Sequence, residues 1–249
     1  MTKISRFSLP QQIVIPALVS VLALAGCAEG EFGQQPSRPT TKAQQLGELR
    51  VGLRKNPTDV TALKKIGDIE AGSGRWNEAM GAYREALVVS PSDRDAILGY
   101  GESQLALGDY AGALTMAQRA GGTDIRAKLL QAGALAGLNR LAEARAVLDQ
   151  ASQMNPRDLD VRSNIALVAA LSRDPQAYAI GRAVAFAPDA THAHKRNLVL
   201  VGGIMGQEAV ARQDGLQLGL GSEAVNQILA VGRRAKTQGM RAFAVLANT

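Results

Sequence analysis

Two prolines set the frame for this chain: Pro57 and Pro91 stand 34 residues apart, with helical spacing between them. Leu63, Ile66 and Gly67 recur at i, i+3 and i+4, so they share one face of a first helix, on which the glycine admits a close neighbour. Gly74 lies where the chain must reverse direction, a place that favours positive φ. Ala79, Tyr83 and Ala86 form the answering stripe of a second helix, the alanines leaving a gap that the tyrosine ring fills. Pro91 ends that helix, and Asp93 is placed to cap the next. One hairpin of this kind cannot bury its own apolar face, so the spacing demands a stack.

The period and these residue types resemble the tetratricopeptide repeat. A second copy runs over residues 94–122, with Ile97, Tyr100 and Gly101, a turn at Gly108 and Tyr110, then Ala113, Ala117 and Ala120. A third is clearest in its second half, at Leu141, Ala144, Leu148, Ala151 and Pro156, with Asn139 in place of the turn glycine. The fourth starts at Asp158, carries Ile165 and Ala166, and closes at Pro188, which predicts a tighter turn over residues 172–175. Ala86, Ala151 and Ala183 each stand five residues before a closing proline. The fold class expected is therefore all-α, a superhelix of stacked antiparallel helix pairs. Its repeats span residues 58–190, and a helix over 43–57 with a Leu46, Leu49, Leu53 stripe caps the N-terminal end. Residues 191–249 read as a degenerate repeat and a closing helix that opens at Ser222, with Gly206 as a turn and residues 215–222 as a glycine-rich loop.

The N-terminus is of another kind. Lys3 and Arg6 precede an apolar run over residues 13–25 that is too short to span a bilayer and contains Pro16, the pattern of a secretory signal. Leu24, Ala25, Gly26 and Cys27 resemble the bacterial lipobox, which makes residues 1–26 a signal peptide and Cys27 the lipidated residue. Cys27 is the only cysteine, so no internal disulfide staples the repeats. Acyl chains contribute about 0.8 kcal/mol per buried methylene, enough for a durable membrane anchor without a spanning helix. By resemblance to Gram-negative sorting, Ala28 after the cysteine favours the outer membrane. Residues 27–42 read as a polar Gly/Pro tether.

Charge and motifs narrow the function. The net charge of +6 falls to +4 once Lys3 and Arg6 are removed, and the remaining Lys and Arg are interspersed with Asp and Glu, which argues against nucleic-acid binding. No H-E-x-x-H, G-x-S-x-G, P-loop or Cys/His metal spacing occurs, so neither catalysis, cofactor, metal nor small-molecule substrate is expected. Gly219-Leu220-Gly221 lacks the preceding strand of a dinucleotide site. His192 and His194 would diverge on a helix and read as a solvated helix start, and Asp68, Glu70 and Glu102 as solvated faces. Trp76 reads as packing beside the turn.

Stacked helix pairs offer a groove along their first helices, suited to a peptide segment of a protein partner. The register nominates Lys64 and Asp68 in the first unit, Leu98, Glu102 and Leu105 in the second, and Ser163 and Leu167 in the fourth. Lys64 and Asp68 differ from the lysine and asparagine of carboxylate-clamp repeats. The lipobox, tether, four repeats and closing helices, with residues 161–167 (Val-Arg-Ser-Asn-Ile-Ala-Leu) and 195–200 (Lys-Arg-Asn-Leu-Val-Leu), resemble the tight-adherence (Tad/Flp) pilus assembly lipoproteins of the TadD type. That resemblance implies a lipid-anchored, periplasm-facing outer-membrane scaffold that helps assemble the pilus secretin by binding, without catalysis. Of the family's functional positions only Cys27 carries over. A general envelope scaffold, in outer-membrane protein insertion or cell-wall synthesis, is the alternative.

Overall fold

A computed structural model describes residues 41–122 and 124–238, and every regular element among them is an α-helix. The signal segment, Cys27, most of the tether and the tail from Gly239 lie outside those residues. The N-terminal capping helix α1 (Lys42–Lys55) begins at a capping box: Thr41 Oγ1 accepts the Gln44 N–H at 3.3 Å, and the Gln44 side chain accepts the Thr41 N–H at 2.7 Å. Its Leu46, with Leu49 and Leu53 beside it, packs on Ile66 and Ala82 of the first pair.

Four helix pairs follow: α2 (Val60–Ala71) with α3 (Trp76–Val89), α4 (Arg94–Ala106) with α5 (Tyr110–Ala120), α6 (Ile125–Gly137) with α7 (Leu141–Met154), and α8 (Leu159–Leu171) with α9 (Ala177–Ala185). Each first helix starts at an aspartate. Asp59, Asp93, Asp124 and Asp158 accept the N–H groups of Ala62, Ala96, Ala127 and Val161 at 2.8–3.0 Å. Each reversal carries one residue at positive φ: Gly74, Gly108, Asn139 and Arg173. Each second helix packs on its own first helix and on the next one, while consecutive first helices also touch. First helices are thus covered on several sides, which is why α4 and α8 bury more than one stripe.

The tyrosine that the alanine spacing anticipates sits between two units. A Cβ at Gly67 would lie 2.6 Å from the Tyr83 ring, and one at Gly99 2.4 Å from it, so only glycine lets both first helices close on the aromatic.

Several expectations need correction. The turn of the fourth unit is not tighter: Arg173 stands 17 residues after Pro156, as Gly74 and Gly108 do after Pro57 and Pro91. The shortening falls in α9, which has nine residues; near its end the buried alanine is Ala185, with Ala177 buried at its start, and Ala183 is exposed. Residues 215–217 are not loop, because α11 (Glu208–Gln217) continues through Gly215, where a Cβ would lie 2.8 Å from Val199. Glu70 is not a solvated carboxylate: it continues the Leu63, Ile66, Gly67 stripe, is 2% exposed, and is held by Arg50 at 3.2 Å and by Arg75. His194 is buried too. Its Nδ1 accepts the Thr191 N–H at 3.1 Å, and its Nε2 lies 2.8 Å from Asp160 Oδ1, tying α10 (His192–Met205) to α8.

The C-terminal region is a fifth pair, α10 with α11, closed by α12 (Ser222–Gln238). Helices α10 and α12 meet at their backbones, since a Cβ on Gly232 would lie 2.7 Å from the Gly203 Cα. Tyr178 and Arg182 of α9 both donate to buried Asp214 of α11, at 2.9 and 2.7 Å, which fastens the fourth repeat to the closing helices.

Candidate protein-binding groove

The first helices α2, α4, α6 and α8 present two kinds of position, distinguished by their distance from the preceding proline. Lys64, Leu98 and Ser163 stand seven residues on and point at the next unit rather than into open space. The Lys64 ammonium donates to Asp93 at 2.9 Å and to Asp95 at 3.3 Å, and these partners hold its pKa above the ordinary lysine value against the opposing effect of burial. Leu98 is 1% exposed within the second repeat's core. Ser163 is 3% exposed and accepts the Asn197 amide at 2.9 Å. Leu98 and Ser163 are therefore structural, because a first helix has a neighbour on the face they occupy.

Asp68, Glu102 and Leu167, eleven residues on, lie on the open side. Asp68, Glu102 and Leu105 line one depression of about 490 Å³, together with Ala71, Trp76, Tyr83, Ala106 and Arg126. A second depression of about 600 Å³ runs between α1 and α2, lined by Glu48, Leu49, Gly52, Lys65, Ile69 and again Asp68. Asp68 is where the two meet. Leu167 instead lines a separate crevice of about 30 Å³ with Gly133 and Ala136, far smaller than the two depressions over the first two repeats.

The walls are fixed by polar contacts. The Tyr83 hydroxyl donates to Asp68 Oδ1 at 2.6 Å; burial, then this bond, push its pKa upward. Arg126 of α6 holds Glu102 of α4 through two bonds of 2.7 and 2.8 Å. That pairing raises the Arg126 pKa despite desolvation. Lys64 is engaged with its aspartates, so it is not presented as a carboxylate clamp would present it. The sequence register nominates neither Trp76 nor Arg126. It misses Arg126 because, in the frame that counting 17 residues back from Asn139 gives, Arg126 stands four residues on from Gly122, at neither of the two positions that the register selects. Trp76 reads in sequence as packing, and it does flank the turn, but it also walls the depression.

Among the described residues no helix is long and apolar enough to cross a membrane. A sequence model of the tetratricopeptide repeat matches residues 53–124, which hold α2 to α5 with Asp68, Trp76, Tyr83, Glu102 and Leu105 of the groove. The chain has the tetratricopeptide-repeat fold. A tetratricopeptide repeat protein from Parabacteroides merdae ATCC 43184 superposes with a TM-score of 0.61 at 16% identity, covering 80% of this chain and 87% of that one. A thermophilic tetratricopeptide-repeat protein from Thermus thermophilus gives 0.60 at 22% identity, covering 70% and 99%. No curated protein matches the chain. At these identities the likeness is one of fold.

Proposed function

We propose that this tetratricopeptide-repeat chain is a non-catalytic scaffold, anchored by a lipidated Cys27 to the periplasmic face of the outer membrane. There it binds protein partners during assembly of a Tad/Flp-type pilus apparatus, with the secretin as the partner it supports. The observation that carries the binding role is the open groove over the first two repeats. Its apolar floor, at Leu105, Ala71 and Trp76, is held in shape by the Tyr83 to Asp68 and Arg126 to Glu102 contacts. A preorganised groove avoids part of the ordering cost of binding. The lipobox and the resemblance of residues 161–167 and 195–200 to the pilus lipoproteins support the location and the pathway.

The test is a pull-down from detergent-solubilised envelopes, comparing wild type with Cys27→Ala. Recovery of a pilus secretin by the wild type, reduced in the variant, is the expected result. Recovery of outer-membrane insertion or cell-wall machinery without any secretin would overturn the pilus assignment.

A further inference from the structure

The groove has a sign of its own. Its two depressions are lined by four carboxylates, Glu48, Asp59, Asp68 and Glu102, and by two cations, Lys65 and Arg126. Two of the carboxylates are committed: Asp59 caps α2, and Glu102 is bound bidentately by Arg126. Asp68 and Glu48 remain on the open side, exposed, and among the described residues neither is ion-paired to a cation. This acidic groove lies on a chain whose net charge is +6. Asp68 stands at the junction of the two depressions, and Trp76 lines the depression on one side of it.

We propose that the groove is specific for a segment of a partner protein that combines an apolar side chain with lysine or arginine. The apolar group seats against Leu105, Ala71 and Trp76, and the cation lies at Asp68 within reach of the Trp76 ring. A cation gains from the carboxylate and from the aromatic face together, whereas a ligand carboxylate there meets Asp68 and Glu48 with no free cation except Lys65. The pairing of Glu102 with Arg126 removes the one guanidinium that would otherwise attract an acidic ligand. This inference rests on the groove being the partner-binding surface.

Trp76 is the only tryptophan, so its fluorescence reports on the groove alone. The full chain in detergent micelles is titrated with two capped heptapeptides that share the same leucines, one carrying two lysines and the other two glutamates. The lysine peptide is expected to bind about tenfold more tightly, from one exposed ion pair and one cation–aromatic contact, and the difference shrinks as salt is raised. Asp68→Asn, whose amide oxygen still accepts the Tyr83 hydroxyl, should narrow the difference to about twofold while leaving the melting temperature near wild type. Glu48→Gln should narrow it less. Equal binding of the two peptides, or an unchanged preference in Asp68→Asn, overturns the charge assignment and leaves the groove as a binding surface. No change in Trp76 fluorescence with either peptide overturns the groove reading itself.

Discussion

At the residue scale the most informative side chain is Glu70, a carboxylate buried on an apolar stripe between two arginines that are themselves half exposed. Burying a charge is costly unless it is paired, and the asymmetry can be tested. Removing both partners in Arg50→Ala/Arg75→Ala leaves an uncompensated buried anion and is expected to lower stability by about 3–5 kcal/mol. Glu70→Leu lets the arginines turn to solvent and should cost far less; urea melts compare the two. Asp93 and Asp124 add a pH dependence. For Asp93 burial pushes its pKa up, but the Ala96 N–H and Lys64 outweigh it; for Asp124 the Arg94 ion pair leads, and both folded pKa values lie below the unfolded one. Their contribution is therefore complete above about pH 4 and is lost as pH falls through the lowered folded values. Asp124→Asn keeps the cap acceptor and loses the Arg94 pair, so its denaturation midpoint should fall less steeply with acid than that of wild type.

At the scale of elements, glycine separates packing from propensity. Gly47 lies within α1 with nothing near its absent Cβ, so Gly47→Ala should stabilise by roughly 0.5–1 kcal/mol. Gly232 lies within α12 against the Gly203 backbone, which no rotamer change can move, so Gly232→Ala should cost about 2–3 kcal/mol despite the same propensity gain. Thermal melts of the two variants should shift in opposite directions. Element order is legible in the sequence wherever one residue type has one job: aspartate caps, turn residues at positive φ, and the alanines around Tyr83. The sequence misleads where a position has two neighbours. Leu98 and Ser163 fall on the exposed face of an isolated hairpin, and only the adjoining first helix buries them. His194 resembles a solvated helix start because Asp160, 34 residues away, is its partner. The fourth unit misleads because spacing between prolines gives the length lost but not the helix that loses it.

At the scale of the molecule, the stack is a chain of nearest-neighbour contacts, and its C-terminal end depends on α12. Val225, Ile228 and Leu229 bury against Leu198, Val199 and Val201, so truncation after residue 221 should yield an aggregating chain, visible as loss of a monodisperse peak in size exclusion. The fold is readable from the period alone. The groove is readable only in part: Asp68, Glu102 and Leu105 come from register, but Arg126 depends on how α6 docks against α4, and Trp76 of α3 reads in sequence as packing beside the turn. A partner held in this groove lies along the first helices of the first two repeats. Site-specific photocrosslinking in intact cells can place it, with the probe at Leu105 in the groove and, separately, at Val88, which is 78% exposed on the second helix α3. A crosslink to a pilus secretin from position 105 and none from position 88 is the expected result. A secretin crosslink from 88 and not from 105 would contradict the groove as the binding surface.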